Sequence, residues 1–508
     1  MAEQHQIIRR GVFDADEYDR AFLTADYDRA RDLLDAAPQT PNTILRLARL
    51  DLRVGKDVDA LERLTALQPA EHRLRLERDV WLATAYSATA DYQTALRIFD
   101  RVLEQIAPPD ELYYAALFQK AHATWARRDL IALRALLGPL MSSPFPLYRG
   151  RGHLLLGWVH VGDGNLRRQA DEYLRALDEF EGMAQPDMFV RLSTIFTLAA
   201  LARELPLDDV AERVKHAYAT LVPTSGMRVQ YFKLTRVLGG IEALRGDELS
   251  AFRYYRAAAE LAPNDRWRVL CMTDRAELAR AAGERAFALD QLHAAHELAS
   301  GISWNDASDE DRMALVNLAQ LFAEEDAPIA QRYLAQFRSL TVPMNSRMAL
   351  ASDPRVQAFS AYAAGMALLQ LGEIEDATGM LKDAWDLFER FGHGWRAALC
   401  AAGLYRATRE SAWLSRANQQ VKPWPNSWVA REVRRAPSRT RAENDESRVS
   451  PAQRPVLKLV LEGKRNAEIA STLARSPNTV RNHIAEIFKT FGVRSRSELI
   501  ARLKTEKV

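Results

Sequence analysis

The strongest constraint on this chain is a small residue that keeps returning on one helical face, each time just after a tight turn. After Ala90, Asp91 and Tyr92, Ala95 precedes Phe99 and Val102; after Gly246 and Asp247, Ala251 precedes Tyr255 and Ala258. Gly283 and Glu284 are followed by Ala288, Leu292 and Ala295, and Gly372 and Glu373 by Ala377, Leu381 and Ala384. Two antiparallel helices approach closely only where Ala or Gly faces the partner, and a large residue one turn later fills the gap to the next hairpin. Apolar residues recur at helical spacing from about residue 15 to 420, without a run of strand alternation. A chain of 508 residues is too long for one hydrophobic core, so this body reads as a stack of helical hairpins.

Further copies of the anchor (Ala30 with Leu34 and Ala37, Ala60 with Leu64 and Leu67) set the period. The steps 30 to 60, 60 to 95 and 251 to 288 run from 30 to 37 residues, near the roughly 34 of the tetratricopeptide repeat. The pattern resembles that repeat in degenerate form. The resemblance implies about ten hairpins wound into a superhelix whose concave groove binds a protein, a peptide or a small-molecule effector.

No chemistry in the body overturns that expectation. A Gly-x-x-x-x-Gly-Lys-Ser/Thr phosphate cradle is lacking, and Glu462–Gly463–Lys464–Arg465 misses its first glycine and its hydroxyl. His293 and His296, followed by Glu297, have a spacing that could hold a metal, but no third ligand is identifiable and the pair reads as a polar patch. No nucleophile motif frames a serine. The expectation is a non-enzyme with no catalytic residue, no metal and no cofactor. Residues 1–13 are polar with Arg9 and Arg10 and do not read as a signal peptide. Apolar runs such as 397–405 fall far short of the roughly 20 residues of a membrane helix. Two distant cysteines, Cys271 and Cys400, form no disulfide framework. A cytoplasmic protein with no membrane partner is expected.

Three regions follow: residues 1–420 as the repeat domain, 421–447 as a flexible linker, and 448–508 as a small C-terminal module. In the linker Pro423, Pro425 and Pro437 break helices and a polar run extends to Ser447, with Trp424 and Trp428 available to cap the last hairpin. Residues 448–508 carry 13 Lys/Arg against five Glu, a net +8, so the other 447 residues are at −6 for the chain total of +2. That asymmetry suits a module built to approach a polyphosphate.

Within the module, Ser450, Pro451 and Gln453 read as a capping box opening a helix, with Val456, Leu457, Val460 and Leu461 as its apolar face and Gly463 as its end. Pro455 then falls just past the first turn, where it would remove a backbone hydrogen bond and tilt the helix entry. A short second helix spans about 466–474. Ser476 caps a third, whose apolar stripe is Val480, Ile484, Ile487, Phe488 and Phe491, and Gly492 ends it. A fourth begins at Ser495 and holds Leu499, Ile500 and Leu503. Opposite the stripe lie Asn478, Arg481, Asn482, Ala485 and Lys489, with Thr479 and His483 at the margins. An α-helix fits the major groove, where Arg bridges guanine and Asn bridges adenine.

From Gly463 and Asn466 through Ile469, Ala470, Leu473, Ser476, Thr479, Val480, Arg481 and His483 to Gly492, Val493, Arg494, Ser495, Arg496, Glu498 and Leu499, the module resembles the LuxR-type (GerE-type) helix-turn-helix domain. Arg475 stands where that family is usually apolar, so its stem is expected to snorkel or the turn to shift. The resemblance implies a tetrahelical fold whose third helix enters the major groove of double-stranded DNA and whose fourth pairs in a homodimer. It places DNA contacts at Asn466, Thr479, Val480, Arg481, Asn482, His483, Ala485, Lys489 and Arg494. The fold class expected for the whole is therefore all-α, a tetratricopeptide-like hairpin superhelix followed by a four-helix helix-turn-helix domain. The function expected is a sequence-specific transcription regulator controlled by what the array binds. The alternative is an interaction scaffold in which the four-helix module docks proteins instead of DNA.

Overall fold

The turns explain the architecture. Ala25, Ala90, Arg128 and Gly246 adopt left-handed backbone conformations, and each is followed by an aspartate. Asp26, Asp91, Asp129 and Asp247 then cap the returning helix, accepting the backbone N–H three residues on at 3.2, 3.1, 3.0 and 3.0 Å. One residue in this conformation reverses the chain and the next satisfies an orphan helical donor. The same two-residue device therefore closes hairpin after hairpin. At Gly246 a side chain is excluded twice over, by a φ of +86° and by the Asn426 carbonyl oxygen 2.8 Å from where a Cβ would sit.

The computed structural model describes residues 13–505 other than 163–165, 223, 306, 308, 324, 341–353, 437–448, 451 and 474. Among the described residues no strand occurs. Among the described residues helices pair in chain order, from Ala15–Leu23 with Tyr27–Asp35 to Gly394–Thr408 with Ser411–Val421, giving eleven hairpins. Their first helices begin 26 to 45 residues apart, a wider and less regular period than the alanine anchors suggest. The anchors themselves are core residues: Ala30, Ala60, Ala95, Ala251 and Ala377 have no exposed surface. A Cβ on Gly239 of helix Arg228–Arg245 would lie 2.7 Å from the Tyr255 ring of its partner Glu248–Leu261, so that hairpin closes only over glycine.

The first hairpins pack back onto the middle of the array. Tyr18, Leu34 and Leu50 of the first hairpins share one core with Leu177, Ile195, Val214 and Ile241. Arg53 forms a fork-to-fork pair with Asp187, at 3.2 and 2.8 Å, across 134 residues of sequence. At the other end His393 and Arg396 meet Glu204, and Arg431 meets Glu248.

The region 421–447, expected to be a flexible linker, contains a helix, and its residues 437–447 lie outside the described residues. Trp428–Arg435 is a helix capped by Ser427, whose Oγ accepts the Ala430 N–H at 3.1 Å. Trp428, Val429, Ala430 and Val433 are buried in the core of the last hairpins, together with Trp424 and Val421. Pro423 and Pro425 end one helix without preventing the next, because the apolar face of 428–433 has a cleft to fill. The array therefore extends to Ala436.

The C-terminal module has its own core, in which Val456, Leu457, Val460, Ile469, Val480, Ile484, Ile487, Phe491 and Leu499 are buried. Its opening helix is Arg454–Leu461, shorter than expected from Ser450. The capping contact survives upstream as Ser450 N–H to Gln453 Oε1 at 2.8 Å. Starting at Arg454 puts Pro455 within the first turn, where its missing N–H costs no helical hydrogen bond. The expected entry tilt has no cause. Among the described residues no helix is long and apolar enough to cross a membrane.

Candidate nucleic-acid interface

Helix Pro477–Phe491 is built to be held from one side and to show the other. Ser476 accepts the Thr479 N–H at 3.1 Å, Pro477 occupies the first turn, and Gly492 (φ 61°) returns its N–H to the last turn. Val480, Ile484, Ile487 and Phe491 face the core. Asn478, Thr479, Arg481, Asn482, Ala485 and Lys489 are exposed on the other side, with Glu486 beside them. Arg481 Nη1 donates to Asn478 Oδ1 at 3.0 Å, which orients the guanidinium along the exposed face.

Two arginines brace the flanks. Arg475 donates to the Ala452 carbonyl at 3.0 Å, and its Nη1 lies 3.0 Å from His483 Nε2, so the ring nitrogen accepts. The residue expected to snorkel instead ties the turn to the first helix and fixes a half-buried imidazole. Arg496 donates to the Lys464 carbonyl and, at 3.3 Å, to Asn466 Oδ1, the first residue of helix Asn466–Thr472. Arg494 is exposed, and its backbone N–H donates to Glu498 Oε2 at 2.7 Å, starting helix Arg496–Thr505.

Of the nine residues expected at the interface, Thr479, Arg481, Asn482, Ala485, Lys489 and Arg494 lie exposed, and Asn466 and His483 are half-buried. Val480 is the correction. It is fully buried and packs inside the module, because its position repeats with Ile484 and Ile487 on the core face. It supports the helix from the core side. Arg475 and Arg496 were not expected at the site. Their signal was a cation at an apolar position in one case and a basic residue next to a cap serine in the other.

The family comparison settles the module's kinship. The GerE model, described as bacterial regulatory proteins of the luxR family, matches residues 447–503. The spore germination protein GerE of Bacillus subtilis is 41% identical over 51 residues, which are 10% of this chain and 69% of that protein. The chain belongs to the luxR family of bacterial regulatory proteins. A Mycobacterium tuberculosis protein named as an HTH-type transcriptional regulator is 27% identical over 261 residues, 51% of this chain. This luxR-family chain spans about a quarter (24%) of that relative's length. Among solved structures, a Rap protein complexed with Competence and Sporulation Factor aligns with 68% of this chain and 99% of its own, at 12% identity and a TM-score of 0.39. The luxR-family domain follows an all-α hairpin array in the chain, and the exposed face of its third helix is the candidate interface.

Proposed function

We propose that this chain is a sequence-specific DNA-binding transcription regulator whose helical array binds an effector. The observation that carries the reading is the third helix of the luxR-family domain, with one face fixed in the core and Arg481, Asn482 and Lys489 displayed on the other. Arg481 and Asn482 read base edges. Lys489, Thr479, Arg494 and the braced His483 and Asn466 position the helix against phosphates. The Arg496–Thr505 helix supplies the contact for a homodimer on a two-fold site, and the protein works in the cytoplasm.

The test is selection of duplex DNA by the full chain, followed by affinity measurements over a range of salt. Enriched sequences should bind with a log–log salt slope of about 0.9 per neutralised phosphate. If no sequence is enriched and affinity is flat with salt, the domain docks proteins instead.

A further inference from the structure

The helices of the array leave a partly open cavity of about 550 Å³ between them. It lies between helices Met188–Glu204, Arg228–Arg245, Asp265–Ala282, Pro354–Leu371 and Gly394–Thr408, and Trp428 forms part of its wall. Its size suits one drug-sized molecule and is too small for a folded partner. Aromatic residues make up a substantial part of its walls, with Phe232, Trp267, Phe359, Tyr362, Trp395 and Trp428 among them. Such walls favour an apolar or aromatic body.

The charges on the lining are uneven. At one end the single carboxylate of Glu204 is shared by Arg203 at 3.0 Å, Arg396 at 3.3 Å and His393 at 2.9 Å. Arg396 lies between the Phe359 and Trp395 rings, 4.1 and 3.9 Å from their centroids. Its guanidinium is therefore fixed in direction. Among the described residues no second carboxylate lies within ion-pair distance of Arg203, Arg396 or His393. Two guanidiniums thus share one counter-charge, while about a fifth of each side chain (22% and 19%) remains accessible. Burial works against ionisation of Glu204, yet Arg396, His393 and Arg203 hold it well below the carboxylate range. Burial drags Arg396 down in spite of the Glu204 charge.

Elsewhere on the lining the balance does not restore a negative potential. Asp274 is occupied by Arg236 through two hydrogen bonds. Glu277 accepts from the Gln320 amide at 3.5 Å, and burial pushes it up to about 7, against the opposing charge of Arg280. A buried cation without its own anion is costly and invites one.

We propose that this cavity is the effector site, and that it takes a small amphipathic carboxylate. The acid group pairs with the Arg203 and Arg396 guanidiniums, and the aromatic or aliphatic body lies among Phe359, Trp395 and Trp428. The inference rests on the reading of the array as an effector-binding domain. It adds an ordered consequence. Trp428 belongs to the last helix of the array, the one that precedes the luxR-family domain in sequence, so the occupant touches the array helix next to that domain along the chain.

Binding is measured on the full chain by calorimetry and tryptophan fluorescence with phenylacetate as probe, and phenylacetamide as its neutral match. The acid should bind saturably, change the fluorescence of the lining tryptophans and exceed the amide at least tenfold in affinity. Ala200→Phe, which fills the cavity from helix Met188–Glu204, should abolish binding while leaving the helical circular dichroism unchanged. Arg203→Gln should erase the preference for acid over amide. Absence of saturable binding, equal affinity for acid and amide, or full binding by a folded Ala200→Phe variant would each overturn the proposal. DNA selection is a separate measurement, so loss of ligand binding with intact DNA binding refutes the cavity assignment alone.

Discussion

At the residue scale, neighbours on one short helix divide into supports and readers. Val480 and Arg481 are adjacent, yet one is fully buried and the other exposed. Val480→Ala should therefore destabilise the C-terminal domain by about 1–3 kcal/mol, in line with loss of buried methyl groups. Thermal unfolding would show this as a shift in that domain's transition, with the array's transition unmoved. Arg475→Ala should lower DNA affinity without altering which sequence is preferred, since it fixes His483 and the turn and reads no base. A selection experiment on the variant would separate the two effects. The exposed and buried faces of this helix were legible from the 4, 3, 1 and 3 steps of its apolar residues. The bracing of His483 and Asn466 was not, because a guanidinium bridging two elements leaves no periodic trace.

Elements are where the sequence speaks most clearly. Ala30, Ala60, Ala95 and Ala251 were recognisable as helix contacts, and the Gly/Ala–Asp turns as reversals, because each is a local device with a local residue requirement. Gly239→Ala is the sharpest check of such a contact. Its new methyl would enter the Tyr255 ring, and a cost of about 1–3 kcal/mol is expected from overpacking. A denaturant midpoint unchanged from that of the native chain would show that the hairpin tolerates a wider spacing. The Trp428–Arg435 helix escaped notice for the opposite reason: prolines on either side signal a break, and only the tertiary cleft explains the burial between them.

For the whole molecule, the first hairpins pack back onto the middle of the array through contacts that no local pattern encodes. The Arg53–Asp187 pair joins residues 134 apart, and both side chains are largely buried at 15% and 5% exposure. Burial alone would raise the Asp187 pKa, but Arg53 outweighs it and holds the carboxyl below its usual range. A carboxylate depressed on folding stabilises the protein above its unfolded pKa, and that contribution is lost as pH falls through the folded value. Asp187→Asn should thus lower the melting temperature at pH 7, and the gap to the native chain should narrow on acidification below the ordinary aspartate range. Because the same side chain caps Met188–Glu204 by accepting two backbone N–H groups, Asp187→Asn retains a capping oxygen while removing the charge.

The regulator reading finally depends on the exposed face of helix Pro477–Phe491. The deciding measurement is the affinity of the full chain for its selected duplex, compared with Arg481→Ala and Asn482→Ala. Each substitution should cost about 1–3 kcal/mol on the selected site and relax the preference at one base position, with little change on unrelated DNA. Equal affinity of native and substituted chains for the selected site would contradict the assignment of this helix as the reader of DNA.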